Sequence, residues 1–215
     1  MKVVSVNVGR PRRFEQNGKE IVTGIFKAPV AGRVAVRTLN LEGDQQADLE
    51  VHGGPDKAVY AYPREHYDYW RAELPDAELP WGVFGENLTV EGLREDELNI
   101  GDRLGIGTAE FAVTQPRLPC YKLAFRFGRP DMVKWFLASR RTGFYLRVLR
   151  EGEVGAGDAI ELLSRDPGNV TVADITRLYA FEKDNRELLE RAMNVAALPA
   201  SWRDYFREKA ADPAG

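Results

Sequence analysis

Hydrophobic and polar residues alternate in short segments along the chain as far as about Leu163. Val4, Val6 and Val8 are separated by small or polar residues, and Val34 and Val36 follow the same two-residue period. This period is typical of half-buried strands. Strand character recurs at 58–62, 87–90, 103–106, 111–115, 144–149 and 159–163. Glycine turns separate these segments, and many short strands with this spacing predict a barrel or a sandwich.

Two segments inside this region have the pattern of surface helices that cover openings or edges of the sheet. Pro63 precedes REHYDYWRAEL, and proline is well tolerated at the first helical position. Pro130 precedes DMVKWFLASRR. The apolar residues that would share a face of this second helix are Met132, Val133, Phe136 and Leu137.

After Ser164 the alternation gives way to a helical period. RDPGN is a linker candidate, and Thr171 is a good N-cap for the first of three amphipathic helices. Their apolar stripes are Val172, Ile175, Leu178 and Tyr179; Leu188, Leu189, Ala192 and Met193; and Trp202, Tyr205 and Phe206. We predict a β-rich domain over residues 1–165 and a three-helix domain over 166–215. The helices are candidates for a docking surface, a structural cap or a dimer contact.

Charge and composition narrow the classes of function. The chain of 215 residues has a net charge of −3, which argues against binding a nucleic-acid polymer. The N-terminus lacks a signal-peptide pattern, and no apolar run approaches the roughly 20 residues that span a bilayer. One cysteine forms no internal disulfide, so we expect a cytoplasmic protein without a membrane partner. Nothing distinguishes a monomer from a homodimer.

Several common sites are absent from the sequence. It contains no GxGxxG after a strand, no GxxxxGK[ST] and no GxSxG. A single cysteine does not hold an iron–sulfur cluster, which typically needs four thiolates. The chain therefore has no recognisable redox relay of its own.

Cys120 has the most distinctive surroundings for chemistry. It follows Pro116 and Pro119, which keep the connection after a strand extended, and it lies near Arg117 and Lys122. A thiol at a helix start beside cations has a lowered pKa, which favours the thiolate. The alternative is a small buried core residue. The prolines and cations favour the reactive thiolate.

The segment HGGPDK, residues 52–57, is a second candidate. Its two glycines let backbone N–H groups approach an anion closely, and Lys57 adds a positive charge. The alternative is an ordinary hairpin loop in which Lys57 is solvated and His52 is a hydrogen-bonding loop residue. Asn87, in FGEN, either binds a ligand through its amide or caps a turn.

Aromatic residues and the second histidine are better explained by packing. The stripe Tyr60, Tyr62, Tyr67, Tyr69 and Trp70 is predicted to form core and lid contacts rather than a stacking platform for bases. His66, in the same segment, is predicted to be structural.

Four segments together resemble the MOSC domain family, named for the C-terminal domain of molybdenum cofactor sulfurases. They are GDQQADLEVHGGPDKAVYAYPREHYDYW, PWGVFGENLTVEGL, the IGD before a strand, and QPRLPCYKLAFRFG, and they extend from Gly43 to Gly128. Each is weak alone, and their order carries the resemblance. The helical tail is similar to the three-helix extension of the stand-alone bacterial type linked to hydroxylaminopurine resistance.

The resemblance implies a mainly β fold with α elements, a MOSC-type β-barrel followed by the three-helix bundle. It also implies a molybdopterin cofactor carrying molybdenum, with tungsten not distinguished. In that family a cysteine ligates the metal, a role that falls on Cys120. The implied catalytic residues are Cys120, His52 and Asp56; the implied cofactor-binding residues are Gly53, Gly54, Lys57, Asn87, Thr114, Gln115, Arg117 and Lys122. Fixed donors and cations suit a phosphate, so we assign the cofactor phosphate to Lys57, Arg117 and backbone N–H groups.

The activity implied is reduction of small N-hydroxylated compounds such as hydroxylaminopurines, hydroxylamines and amidoximes. His52 or Asp56 would supply a proton. A separate flavin or iron–sulfur protein would deliver electrons. Two alternatives stay open, a sulfur carrier or transferase with a Cys120 persulfide and a non-catalytic molybdopterin carrier. A hydrolase using Cys120 and His52 is less favoured because no third, orienting residue is evident.

Overall fold

The structure, a computed structural model, describes residues 1–16, 18–47 and 53–211. Its strands in these ranges are β1 (Lys2–Val8), β2 (Arg12–Gln16), β3 (Lys19–Thr23), β4 (Ala28–Pro29), β5 (Arg33–Arg37), β6 (Asn40–Leu41), β7 (Val59–Pro63), β8 (Leu88–Glu91), β9 (Arg103–Ile106), β10 (Ala109–Pro116), β11 (Phe144–Arg150), β12 (Gly152–Gly155) and β13 (Ile160–Ser164). Its helices are α1 (Glu65–Glu73), α2 (Tyr121–Phe127), α3 (Met132–Ala138), α4 (Val172–Ala180), α5 (Arg186–Met193) and α6 (Ala200–Ala211). Pro55–Lys57 form a single 3-10 turn.

Eight strands form one large sheet in the order β13-β9-β10-β11-β7-β8-β1-β4. β7 and β8 pair in parallel, which requires the crossover that α1 provides. β1 also bonds to the residues that lead into β13. The N–H of Val3 donates to the carbonyl of Asp158 at 2.9 Å, and the N–H of Ile160 donates to the carbonyl of Met1 at 3.1 Å. The sheet therefore curls so that β1 lies against the residues that lead into β13.

One hydrophobic core continues from the sheet into the C-terminal helices. Phe111 and Leu146 of the sheet belong to the same buried cluster as Ile175, Leu189 and Phe206 of the helices. Burial of apolar surface is the dominant favourable term in folding, so this shared cluster holds the three helices against the sheet. The predicted fold class, mainly β with α elements and a C-terminal group of three helices, is confirmed, and within the described ranges the β part consists of one large sheet and two small ones.

The three helices bury most of the stripes that their sequences predict, and Tyr179, Met193 and Tyr205 are partly buried. Thr171 caps α4 as expected: its Oγ1 accepts from the N–H of Asp174 at 3.0 Å, and Asp174 Oδ2 accepts from the N–H of Thr171 at 3.0 Å. This reciprocal capping box satisfies two N–H groups at the start of the helix. Residue 171 therefore fixes where the helical region begins.

A second core lies where α1 and α3 cover the sheet. Tyr62, Tyr67, Trp70, Phe84 and Phe136 are fully buried in it. The Trp70 Nε1–H donates to the Tyr62 hydroxyl at 2.7 Å, which satisfies the indole donor inside the core. The prediction that the aromatic stripe packs is confirmed. His66 is also structural, since its Nε2 lies 2.8 Å from the buried Glu95 carboxylate.

Predicted strands agree with the structure to within two residues at each end, and the differences have local causes. Pro63 was predicted to start a helix, which is wrong: it ends β7, opposite Val90. The parallel ladder extends through Pro63, and the helix begins two residues later. The pattern also missed the hairpin β2–β3 and the strand β12, whose sequence GEVG contains one apolar side chain and so shows no alternation.

Within the described ranges, no helix has the length and apolar character that crossing a membrane requires.

Candidate functional site

A pocket lies between the segment that carries Cys120, the connection after β3, and residues 44–47. Its empty volume, with the open mouth included, is about 670 Å³. Five residues predicted for the site line it together: Cys120, Lys57, Asn87, Arg117 and Lys122. Arg117, Cys120 and Lys122 belong to one segment, Lys57 and Asn87 come from two others, and the fold brings the three segments together.

Cys120 lies at the junction between the proline-rich segment and α2. It is half-buried, and its backbone is extended, with φ −126° and ψ 173°, immediately before the helix begins at Tyr121. The helix predicted to begin beside the cysteine is therefore present. Cys120 belongs to the pocket lining. Its role as a metal ligand stays a prediction.

Arg117 is a buried cation with incomplete hydrogen bonding. Its guanidinium lies 5.6 Å from the ring centroid of Tyr60 and 5.3 Å from that of Phe136. The side chain is 5% exposed, and its Nη1 has no hydrogen-bond partner among the described residues. A buried charged donor without a partner is costly, and an anion in the pocket would satisfy it.

Lys27 and Asp44 form a buried ion pair in the pocket wall that sequence reasoning missed. Asp44 also accepts from the N–H of Gly9 at 2.9 Å and from Asn87 Nδ2 at 2.9 Å. Burial lowers the pKa of Lys27 below 10.5, and the attraction of Asp44 partly offsets this. The network fixes the Asn87 amide, so Asn87 serves at least to hold the wall in place.

Glu86 lies behind this wall, fully buried. Its Oε1 accepts from the N–H of Gly82 at 2.8 Å, from Thr89 Oγ1 at 2.9 Å and from the hydroxyl of Tyr67. Its Oε2 has no partner among the described residues. Burial raises the pKa of Glu86 above 4.5, although the donors from Tyr67 and Gly82 act in the opposite direction.

The 3-10 turn separates two neighbouring side chains that were both predicted for the site. Lys57 lines the pocket, whereas the Asp56 carboxylate binds Arg147, with Nε–Oδ1 at 2.7 Å. The N–H of Lys57 donates to the carbonyl of Gly54 at 3.1 Å, and φ of Gly54 is +91°, a conformation that favours glycine. The turn thus presents Lys57 to the pocket.

Other predicted residues support this turn from behind. Thr114 Oγ1 donates to the carbonyl of Asp56 at 2.7 Å, and Gln115 Nε2 donates to the same oxygen at 3.3 Å. The structure does not place Gly53, Gly54, Asp56, Thr114 or Gln115 in the pocket lining. His52 lies outside the described residues. Roles in catalysis or cofactor binding stay predictions for all of them.

Some lining residues carried no usable signal in the sequence. Lys27 stands in a mostly apolar segment without a motif, nothing in its own segment singles out Asp44, and Tyr60 and Tyr145 look like core aromatics. Burial raises the pKa of Tyr145, with Arg117 beside it acting in the opposite direction. The pairing of β11 with β7 sets Tyr145 opposite Tyr60. The two tyrosines therefore belong to the same wall of the pocket, which the sequence does not show.

Comparison with known families agrees with this fold. Residues 48–161 match the family model described as the MOSC domain. Residues 170–209 match the model described as the YiiM-like, 3-alpha helix domain. The chain belongs to the MOSC domain family and carries this three-helix domain after it. The resemblance drawn from the sequence is confirmed, whereas the division after residue 165 stays a prediction.

Individual proteins are also similar over most of the chain. The chain is 46% identical to YflK of Bacillus subtilis (strain 168) over 96% of its own length and 93% of that protein. The crystal structure of YiiM from Geobacillus stearothermophilus superposes with a TM-score of 0.83 at 38% identity, covering 98% of this chain and 99% of that one. A Gibberella moniliformis protein named "Reductase" is 34% identical over 87% of this chain and 34% of its own length.

Proposed function

We propose that this chain is a cytoplasmic molybdenum-cofactor-dependent reductase of small N-hydroxylated compounds, such as hydroxylaminopurines, hydroxylamines and amidoximes. The observation that carries the proposal is the unsatisfied Nη1 of buried Arg117 in the pocket that Cys120 lines. One wall thus offers a soft sulfur ligand and a cation whose unsatisfied donor an anion would complete. The name of the Gibberella relative supports an oxidoreductase role.

The residues of the pocket fit a metal that brings most of its own ligands. Among the described residues, no group of three or more His, Cys, Asp and Glu side chains could hold a metal ion. Cys120 would supply one thiolate, a soft ligand. The dithiolene sulfurs of a molybdopterin would supply further soft ligands, which is why this cofactor suits the site.

The cations of the pocket fit the phosphate of the same cofactor. Arg117 presents a planar set of donors that matches phosphate oxygens, while Lys57 and Lys122 act as point charges. Arg117 is held between two aromatic rings, so its position is fixed before a ligand arrives. Such preorganisation reduces the entropy lost on binding.

A bound molybdenum cofactor supplies the two electrons that reduce an N–O bond. The chain's own residues hold that cofactor, orient the substrate and deliver protons. Asp56 is engaged by Arg147, so protonating a substrate from Asp56 would require breaking that ion pair. We therefore keep His52 as the proposed proton donor. A separate flavin or iron–sulfur protein returns electrons to the site.

Elemental analysis tests the proposal. Wild type, Cys120→Ala and Tyr121→Phe are purified from a host that makes molybdopterin, and molybdenum and tungsten are measured. Tyr121 is the exposed neighbour of Cys120 and serves as the matched control. We expect metal near one equivalent in wild type and Tyr121→Phe, and its loss in Cys120→Ala. Turnover of benzamidoxime with an artificial reductant should follow the metal.

Two outcomes would overturn the proposal. Wild type without metal, purified from a competent host and carrying labile sulfur on Cys120, would identify a persulfide carrier. Wild type with metal but without turnover of any N-hydroxylated compound would identify a non-catalytic cofactor carrier.

A further inference from the structure

A buried hydrogen bond joins the three-helix domain to the strand that supports the pocket. The Nε1–H of Trp202 on α6 donates to Oε1 of Gln115 on β10 at 2.6 Å. Trp202 is 8% exposed and Gln115 is 4% exposed. Bulk water therefore does not readily replace this bond, and losing it leaves a buried acceptor unsatisfied.

The bond to Trp202 also fixes the orientation of the Gln115 amide. An indole N–H is a donor only, so it selects the oxygen side of the amide and turns the nitrogen the opposite way. That nitrogen donates to the carbonyl of Asp56 at 3.3 Å. Asp56 immediately precedes Lys57, a residue of the pocket lining. A chain of two hydrogen bonds thus runs from α6 to the turn that presents Lys57.

Aromatic packing holds the Trp202 side chain, where this series of hydrogen bonds begins. The Trp202 ring lies 5.4 Å from the ring of Tyr179 on α4 and 5.6 Å from that of Phe206 on its own helix, centroid to centroid. Phe206 is fully buried in the core shared with the sheet. Aromatic contacts of this kind restrict the indole to one orientation, so the donor is preorganised.

We propose that Trp202 is a positioning residue through which the three-helix domain sets the geometry of the Lys57 turn, by way of Gln115. The role of Lys57 toward a cofactor phosphate rests on the proposed function. The positioning itself concerns the turn alone, and it is measurable without any cofactor.

Hydrogen exchange in the full chain tests the positioning. The reporter is the amide of Lys57, which donates to the carbonyl of Gly54. Trp202→Phe keeps an aromatic ring and removes the donor. We expect exchange at Lys57 to become about fivefold faster, the factor that corresponds to one lost hydrogen bond. Tyr205→Phe, a change on the same helix and in the same aromatic group, should leave this amide unchanged.

A second variant separates positioning from a general loss of stability. Gln115→Met keeps the length of the side chain and removes the donor to the Asp56 carbonyl without burying a charge. It should speed exchange at Lys57 as Trp202→Phe does, while amides of α5, such as that of Leu189, keep the wild-type rate. Equal acceleration at Lys57 and Leu189 would instead show plain destabilisation and overturn the inference.

Binding then distinguishes this inference from the proposed function. If wild type holds molybdenum, Trp202→Phe should need a cofactor concentration about fivefold higher for half-loading, because its turn is less ordered. Faster exchange at Lys57 in Trp202→Phe, in a protein whose wild type never holds metal, would support the positioning and refute the proposed function. Unchanged exchange in Trp202→Phe, whatever the metal content, would refute the positioning.

Discussion

Asn87 Nδ2 donates a hydrogen bond of 2.9 Å to the Asp44 carboxylate, and the two residues are 43 positions apart in the chain. The same side chain accepts from the N–H of Tyr60 at 3.0 Å through its Oδ1. Asn87 therefore ties the pocket wall at Asp44 to β7, and each half of its amide has a different buried partner. The pocket depends on this connection.

Removing the Asn87 amide should destabilise the protein. In Asn87→Ala the Tyr60 N–H and one Asp44 oxygen lose their partners, so we expect the free energy of unfolding to fall by ~2 kcal/mol. Urea unfolding measures this change. The exposed Asn194→Ala should stay within ~0.5 kcal/mol of wild type. If Asn87→Ala lowered the free energy of unfolding no more than Asn194→Ala does, water would be replacing the hydrogen bonds of the Asn87 amide.

Lys27 should stabilise the fold by compensating the charge of the buried Asp44 carboxylate. Lys27→Met leaves the Asp44 carboxylate buried without its counter-charge, and we expect a loss of ~3 kcal/mol in the free energy of unfolding. Adding Asp44→Asn to Lys27→Met removes the uncompensated charge and should restore part of that loss. The exposed Lys134→Met is the control for removing a lysine. A double variant less stable than Lys27→Met would contradict this explanation.

The raised pKa of Glu86 predicts a dependence of stability on pH. A carboxyl whose pKa is higher in the folded state binds its proton more tightly there. Its contribution is fully present below the unfolded value, about 4.5, and is lost as pH rises through the folded value. Wild type should therefore lose stability relative to Glu86→Gln as pH rises above about 4.5.

Urea unfolding of both proteins at a series of pH values measures that difference. The exposed Glu161→Gln should show no such trend relative to wild type. If the difference in free energy of unfolding between wild type and Glu86→Gln were the same at every pH, Glu86 would have the same pKa in the folded and unfolded states.

Arg117 should select for an anion through its planar donors as well as its charge. Arg117→Lys keeps the charge but loses the second donor nitrogen, so binding of inorganic pyrophosphate should weaken about tenfold, since a charged hydrogen bond is the interaction lost. Calorimetry measures this, with the exposed Arg150→Lys as control. Equal affinity in Arg117→Lys would show that the pocket recognises charge alone.

Gly143 should tolerate no side chain, because a Cβ there would lie 2.5 Å from the carbonyl of Ala61 and 2.8 Å from the Tyr60 ring. Its φ is +67°, close to the +62° of Gly128, where a Cβ meets open space. Gly128→Ala therefore measures the backbone strain alone, ~1 kcal/mol. Gly143→Ala should cost ~2 kcal/mol more, because overpacking adds to that strain. Equal Tm values for the two variants would contradict the packing argument.

Part of the pocket could be predicted from motifs. Cys120, Arg117 and Lys122 fall in one segment whose prolines and cations mark it, and the structure places all three at the pocket. The ion pair of Lys27 and Asp44 could not be predicted, because the motif segment that begins at Gly43 does not show which buried partner the Asp44 carboxylate meets. Their ion pair is made only when the connection after β3 folds against residues 44–47.

Most strands of the large sheet and the three C-terminal helices could be predicted from the sequence, because periods of two and 3.6 residues reflect local backbone geometry. The sequence by itself also determined the family, through the order of its motifs. Tertiary structure alone decided which polar groups face the pocket. Asp56 and Lys57 are adjacent, yet Asp56 turns to Arg147, 91 positions away, and Lys57 turns to the pocket. The orientation of a polar side chain is set by partners that only the folded chain brings within hydrogen-bonding distance.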